Sequence, residues 1–188
     1  MALAVLLLVA VIAFAAFLFN RLVGLKNRAA SAWSDIDVQL KRRHDLVDNL
    51  VETVRGYTQH EKQTLEEVTR LRSQAEQARN SGLPAAAGSA EAALTARMTS
   101  LLAVVEAYPE LKASARFLDL QRALTAVEND IQNARRYYNA VVRDLNTRIQ
   151  SFPDLLIAGP LGFQQRQFFQ LDDPAEATVP RVSLEPRS

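Results

Sequence analysis

The chain has 188 residues, 48% of them hydrophobic, with a formal net charge of +1 and no cysteine. The absence of cysteine excludes disulfide-linked folds and thiolate chemistry. The near-neutral charge gives no reason to expect a nucleic-acid partner. Six glycines are few for a glycine-rich enzyme fold. Once an anchor and a tail are set aside, one domain of ordinary size remains.

Residues 1–20 are predicted to form a transmembrane anchor. The run from Met1 to Phe19 carries no charged side chain, and as a helix it spans roughly 28 Å, close to the hydrocarbon thickness of a bilayer. A cleaved signal peptide is the alternative, but the run lacks a basic start and is long for such a segment. Arg21, Lys26 and Arg28 follow the run. The positive-inside rule therefore predicts a single span with its N-terminus outside and the C-terminal domain in the cytoplasm.

The stretch from Leu25 to Ala78 is predicted to be one continuous helix. Apolar residues recur along it in two rows with heptad spacing, no proline interrupts it, and Gly56 is the only strong helix breaker inside. Such a helix would be roughly 80 Å long and requires other long helices beside it. Arg43 falls on the apolar stripe, so we expect it to find a charged partner or reach the rim.

Two further helices follow a predicted loop at Asn80–Ser89, which contains two glycines and a proline. The second helix is predicted over Glu91–Tyr108, where Pro109 ends or kinks it. The third begins near Ser114, a possible N-cap, and carries a regular apolar stripe from Phe117 to Phe152.

The predicted fold class is all-α: an N-terminal transmembrane helix followed by an antiparallel, coiled-coil-like bundle or hairpin of long helices over residues 21–152. Two arrangements remain open. In a hairpin, the second and third helices descend together along the first. In an up-down-up bundle, the chain turns fully at Tyr108–Ala113, and part of the first stripe is left for a partner chain.

Residues 153–171 form a predicted apolar strap, and residues 172–188 are predicted to be disordered. The stretch Leu155–Phe169 reads LLIAGPLGFQQRQFF, in which two glycines and a proline disfavour a simple helix. It is interpreted either as a strap over the bundle end or as a segment dipping into the membrane interface. In the second case Phe163, Phe168 and Phe169 would be the anchors.

Groups that could carry chemistry are sparse. His44 and His60 lie sixteen residues apart, so on one helix they point in different directions and cannot share a metal ion. His44 and Asp48 are spaced to supply two metal ligands, but a solvated polar face is favoured because further ligands are missing. The basic run Lys41–Arg43 is likewise interpreted as solvated. No nucleophile elbow, phosphate loop or dinucleotide fingerprint occurs, so we expect no enzyme activity, no metal and no cofactor.

The candidate interaction residues lie on the first stripe and in the strap. Trp33, the single tryptophan, is expected mainly in the core. Polar residues repeat beside the stripes, Asn139 and Asn146 among them, and buried amides of this kind would fix helix register. The full set of candidate interaction residues is Trp33, Ile36, Leu40, Arg43, Phe163, Phe168 and Phe169.

Several runs of sequence resemble the LemA family of bacterial membrane proteins. They include AWSDIDVQLKRRHDLVDNLVETVRGY at Ala32–Tyr57, FLDLQ at Phe117–Gln121 and ENDIQNARRYYN at Glu128–Asn139. The resemblance extends in order over roughly residues 21 to 169. It implies a single-pass protein of the bacterial inner membrane with a domain of long antiparallel helices and no established catalytic activity. Relatives include a magnetosome membrane protein, and other members occur alongside membrane-stress and protease functions.

Two hypotheses of function follow. The first is a non-enzymatic inner-membrane scaffold that self-assembles and organises or remodels the membrane, with the lipid bilayer and further copies of the chain as partners. The second is an adaptor or sensor that binds another membrane protein, such as a membrane protease or its regulator.

Overall fold

The computed structural model describes residues 1–58 and 61–170, and over these residues the chain is helical with no strand. The predicted all-α class is confirmed. His60 and the predicted tail at 172–188 lie outside the described residues. The elements are α1 (Ala2–Arg55), α2 (Lys62–Asn80), α3 (Pro84–Val105), α4 (Pro109–Lys112), α5 (Ala115–Gln150) and α6 (Leu155–Ala158).

Ion pairs along α1 show that both of its main neighbours run antiparallel to it. Toward α2, Asp48 pairs with Arg72 at 2.9 Å and Asp37 with Arg79 at 2.7 Å. Residue numbers therefore fall along α1 as they rise along α2.

Toward α5, Glu52 pairs with Arg116 at 3.7 Å and Arg42 with Asp130 at 3.9 Å. These pairs also have falling numbers on α1 and rising numbers on α5. With α3 packed against α2, the chain forms an up-down-up-down bundle whose longest members are α1 and α5.

The predicted continuous helix over Leu25–Ala78 is wrong. Helix α1 ends at Arg55, and the carbonyl of Val54 accepts from the backbone of Tyr57 and Thr58 at 2.9 and 3.1 Å. The Thr58 hydroxyl donates to the same carbonyl at 3.1 Å. The chain then reverses between Arg55 and Lys62, a connection that includes Gly56, and α2 packs back on α1. The heptad rows continue across this turn because α2 also needs an apolar face, so periodicity alone does not reveal the break.

The predicted loop at Asn80–Ser89 is also wrong over most of its length. Only residues 81–83 connect α2 to α3, because Pro84 stands in the first turn of α3, where its missing N–H costs nothing. The three alanines that follow are strong helix formers. Gly88 is therefore a helical residue.

Neither open arrangement describes the whole molecule. The full turn near Tyr108–Ala113 does occur, around α4, as the bundle alternative required. However, the extra reversal after Arg55 adds α2, so the described bundle has four main helices, of which α2 and α5 descend. The apolar residues of the α1 stripe from Leu22 to Val54 consequently pack against helices of the same chain.

Helix α5 follows its prediction closely. The Ser114 hydroxyl accepts a hydrogen bond from the Phe117 backbone N–H at 3.2 Å, which confirms the N-cap. The stripe is buried or half-buried from Phe117 to Ile149. It does not extend to Phe152, whose side chain is 78% exposed, because the helix ends at Gln150 and the chain leaves the stripe direction there.

Candidate functional site at the base of the bundle

A groove lies between α1 and α5 just beyond the uncharged N-terminal run. Its volume is about 830 Å³. Spacings of three and four residues place its lining on one face of each helix. Four arginines face a single aspartate, so the groove is positively charged. This basal groove is lined by Asn20, Arg21, Gly24, Leu25 and Arg28 of α1 and by Arg143, Asp144, Thr147, Arg148 and Ser151 of α5.

A second, smaller cavity carries the same sign of charge. It has a volume of about 230 Å³, and its basic lining residues are Lys26 of α1 and Arg166 of the strap. Basic side chains from three separate parts of the sequence therefore meet at the base of the bundle. Only those on α1 were available to the sequence argument for membrane orientation.

Large apolar side chains are exposed beside the basal groove. We call Phe152, Leu155, Leu156 and Leu161 the apolar foot; their exposed fractions are 78%, 53%, 64% and 53%. The foot stands at the level where α1 enters its uncharged run. Leu22 of α1 shares a buried cluster with Ala158 of α6, and the rings of Phe19 and Phe163 meet edge-on at 5.8 Å.

The end of the strap runs in extended form along α5 and is held there by two asparagine side chains. The Asn146 amide donates to the Arg166 carbonyl and accepts from the Arg166 N–H, both at 2.9 Å. The Asn139 amide makes the same pair of bonds to Phe169, at 2.9 and 3.0 Å. Seven helical residues rise about 10.5 Å and three extended residues span about 10 Å, so the two amides match the backbone repeat of the strap.

Aromatic side chains also hold the end of the strap against the bundle. Phe169 is fully buried and meets the ring of Trp33 at 5.6 Å, while Trp33 meets Tyr138 at 5.5 Å. The Tyr138 hydroxyl donates to the Gln167 carbonyl at 2.9 Å. Burial raises the pKa of Tyr138, and the positive charge of Arg166 opposes that rise only in part. The phenol therefore remains a neutral donor at physiological pH.

Charged side chains are buried farther up the bundle, where α1, α3 and α5 meet. Arg43 is fully buried and donates to the Thr95 hydroxyl at 2.7 Å and to the Glu91 carbonyl at 3.1 Å. One of its guanidinium nitrogens lies 3.2 Å from a Glu128 carboxylate oxygen. His44 Nε2 lies 2.7 Å from Glu91 Oε1. This charge cluster ties three helices to one another.

The charge cluster corrects two expectations from the sequence. His44 does not lie on a solvated face, because it is 2% exposed and paired with Glu91. Its predicted metal-ligand companion Asp48 pairs with Arg72 instead, so those two side chains have separate partners. Of the predicted solvated run, Arg43 is buried. Lys41 and Arg42 remain exposed. Across the described residues no three His, Asp or Glu side chains group as a metal site.

Glu128 belongs to the charge cluster, and its surroundings shift its pKa. Burial raises its pKa above the ordinary value, the Arg43 guanidinium lowers it, and the neighbouring Glu91 carboxylate raises it further. The net effect is a raised pKa, which means that desolvation outweighs the attraction of Arg43. The arrangement serves to hold helices together. It contains no nucleophile activated by a base.

The model of the LemA family matches residues 32–184, which is most of the chain. The chain belongs to the LemA family. This LemA-family chain is 25% identical over 170 residues to a protein named Protein LemA from Metamycoplasma hominis, covering 88% of the chain and 74% of the relative.

Two further relatives of the LemA-family chain come from Paramagnetospirillum magneticum and are named Magnetosome protein MamQ 1 and MamQ 2. Each is 25% identical to it over 201 residues, covering 95% of the chain and 74% of the relative. The names are not those of enzymes. Together with α1, whose N-terminal part is long and apolar enough to cross a membrane, they indicate a membrane-associated helical protein.

The structure brings the predicted interaction residues of this LemA-family chain into two places. Ile36 and Leu40 are fully buried in the bundle of a single chain, as is Arg43. The contacts seen for these three are within the chain, and their part in contacts between chains stays a prediction. Trp33 is half-buried against the strap, in keeping with the expected core position.

The phenylalanines of the strap differ in exposure. Phe169 is buried under Trp33, Phe163 is half-buried against Phe19, and Phe168 is 36% exposed. A buried Phe169 has no surface to offer to lipid in this conformation. The exposed apolar surface lies instead in the apolar foot. Leu155, Leu156 and Leu161 fall within the apolar stretch Leu155–Phe169, for which the sequence predicted phenylalanines as the membrane anchors.

The basal groove was missed altogether, because half of its arginines lie in α5. Arg143 and Arg148 carry no signal in the sequence that would place them beside Arg21 and Arg28. Only the antiparallel register of α1 and α5 brings the four together.

Proposed function

We propose that this chain is a non-enzymatic scaffold of the bacterial inner membrane that self-assembles and organises or remodels the bilayer. In this proposal residues 1–20 are the single transmembrane anchor, with the N-terminus outside. Residues 21–152 form the cytoplasmic bundle, and residues 153–171 form the strap.

The observation that supports this function best is the continuity of α1. It runs as one helix of 54 residues, Ala2–Arg55, from the apolar run into the bundle. Leu18 and Leu22 at the junction are already buried against the rest of the chain. A bundle mounted in this way has no flexible linker to the bilayer, so its orientation is set by the membrane. Copies held in a common orientation in one plane are predisposed to side-by-side assembly. Because each bundle is rigidly joined to its transmembrane segment, the shape of such an assembly would impose a curvature on the membrane.

Self-assembly is tested with the full-length protein in lipid nanodiscs and in cells. The chain has no cysteine, so single-cysteine variants at exposed bundle positions such as Val38→Cys and Tyr137→Cys report contacts between copies. We expect oligomers by size-exclusion chromatography with light scattering at micromolar concentration. In cells, where a cytoplasmic thiol stays reduced, we expect a membrane-permeant bismaleimide to cross-link dimers at some positions. A protein that stays monomeric in nanodiscs, with no cross-link at any exposed bundle position, contradicts the proposal.

The membrane orientation is tested with the same variants. A cysteine at Val38 is expected to react with a membrane-impermeant maleimide in inside-out vesicles and to be protected in intact spheroplasts. The reverse pattern contradicts the proposed topology.

An adaptor role is the second candidate, and the asparagine clamp favours it. Asn139 and Asn146 hold the strap through its backbone, a mode of binding that is indifferent to side-chain identity and would suit an extended segment of another protein. Purification from membranes discriminates between the two functions. A stoichiometric second protein supports the adaptor, and copies of this chain alone support the scaffold.

A further inference from the structure

The basal groove combines position, charge and open space in a way that neither the scaffold nor the adaptor requires. Starting from Arg21, the first charged residue after the apolar run, the groove extends along α1 to Arg28, a distance of about 10 Å. The polar headgroup layer of a bilayer is several Å thick on each side of the hydrocarbon. A chain anchored through residues 1–20 therefore holds this groove at headgroup level.

The arginines of the groove have few carboxylate partners. Arg148 lies 3.6 Å from Asp154. Among residues 1–58 and 61–170, no ion pair is formed by Arg21, Arg28 or Arg143. Higher in the bundle, by contrast, arginines commonly pair with carboxylates, as Arg97 does with a glutamate at 2.7 Å. With Asp144 as the one carboxylate that lines the groove, the four arginines leave an excess of positive charge at the base of the bundle.

The groove also has room for a ligand. Gly24 lies on the α1 wall between Arg21 and Arg28, and a Cβ added there would meet no atom within 4 Å. Thr147, which carries a hydroxyl group, lines the opposite wall. Guanidinium groups bind phosphate oxygens through two parallel hydrogen bonds, and hydroxyl groups complete such sites. The chemistry fits a phosphate group better than a carboxylate, because four arginines supply more donors than one carboxylate can accept.

The surface next to the groove suits the remainder of a lipid. Ser151 lines the groove, and the apolar foot begins with Phe152, the next residue. Acyl chains that descend from a phosphate held in the groove would run along the uncharged part of α1 and past the foot. A soluble phosphate compound would gain nothing from this neighbouring apolar surface.

We propose that the basal groove is a binding site for the phosphodiester headgroup of an anionic phospholipid, with Arg28 and Arg143 as the principal phosphate ligands from opposite walls. The site selects lipids with net negative charge, since a zwitterionic headgroup brings its own cation into a groove that already holds four. This inference rests on the membrane anchor of the proposed function and is independent of self-assembly.

The test uses the full-length protein in a neutral detergent, titrated with short-chain phosphatidylglycerol, short-chain phosphatidylcholine or inorganic phosphate. Binding is followed by native mass spectrometry and by the rise in unfolding temperature. The variant is Arg28→Gln/Arg143→Gln. Its control is Arg122→Gln/Arg136→Gln, which removes the same charge from exposed positions of α5 that do not line the groove.

We expect phosphatidylglycerol to bind the wild type and the control alike, and to bind the variant at least about tenfold more weakly, the equivalent of one lost charge-assisted interaction. Phosphatidylcholine and inorganic phosphate should bind weakly. Equal weakening in the control, or equal binding of phosphatidylcholine, overturns the site. Binding of inorganic phosphate as tight as that of phosphatidylglycerol overturns the lipid assignment.

Two features of the experiment separate lipid binding from folding and from self-assembly. The variant should unfold at the wild-type temperature without lipid, because neither arginine makes an ion pair within the described chain. Lipid affinity in detergent is also measured on whatever oligomer is present. A wild type that assembles but does not bind phosphatidylglycerol therefore rejects the groove and leaves the scaffold standing. A wild type that binds phosphatidylglycerol but does not assemble rejects the scaffold and leaves the groove standing.

Discussion

Replacing Gly88 with alanine should detach the end of the strap from the bundle. A Cβ at this position would lie 2.0 Å from the Gln170 carbonyl oxygen and 2.9 Å from its carbonyl carbon. Both atoms belong to the backbone, so no side-chain rotation relieves the clash. Either the strap or α3 must move, and the strap has the smaller attachment.

The size of the effect follows from what the strap loses. Phe169 would give up its burial, worth about 1.5–3 kcal/mol. Its two hydrogen bonds to Asn139 contribute about 0.5–1.5 kcal/mol each. Alanine in a helix regains up to about 1 kcal/mol relative to glycine. The net expectation is a destabilisation of about 1.5–5 kcal/mol, with a fall in unfolding temperature of roughly 2–4 °C per kcal/mol.

The single tryptophan makes the assay specific to the strap. Trp33 packs against Phe169 at 5.6 Å, so its fluorescence emission should shift to longer wavelength in Gly88→Ala as water reaches the indole. The matched control is Gly24→Ala, also helical, where the new methyl group meets nothing within 4 Å and stability should rise slightly. If Gly88→Ala matches that control in unfolding temperature and in Trp33 emission, the placement of the strap on α3 is refuted.

Three further predictions concern the clamp and the charge cluster. Asn146→Ala should cost about 1–3 kcal/mol, because it leaves the Arg166 N–H and carbonyl without their partner; thermal unfolding in detergent measures this, and no loss would mean that the amide is dispensable. Arg43→Met should cost about 3–5 kcal/mol because it leaves the Glu91 carboxylate buried without its cation; adding Glu91→Gln should recover part of the loss, and strictly additive losses would contradict the pairing. Burial raises the pKa of Glu128 above 4.5, so its contribution to stability is present below that pH and declines as pH rises through the raised pKa. The stability of Glu128→Gln relative to the wild type should therefore increase as pH rises from 4.5 through the raised pKa. Unfolding temperatures measured over a pH series test this. A difference between the two proteins that does not change with pH would contradict the raised pKa.

Helix existence, the all-α class and the apolar N-terminal run could be predicted because each depends on short-range pattern. The α5 stripe and the Ser114 cap are of this kind, since the residues that decide them lie within a few turns of one another. The break after Arg55 could not be placed, because the apolar rows keep their register through the reversal. Gly88 was assigned to a loop because its composition resembles one. The actual reason for a glycine there is the backbone of Gln170, 82 positions later in the numbering.

By itself, the sequence determined that the chain is mainly helical, which faces of its long helices are apolar and where charge is excluded, because those properties follow from residues a few positions apart. Only the tertiary structure decided which surfaces meet. The antiparallel register of α1 and α5 buries Arg43 among its partners and gathers arginines from two distant segments at the base of the bundle. Such meetings depend on how whole helices pack, and no local spacing encodes them.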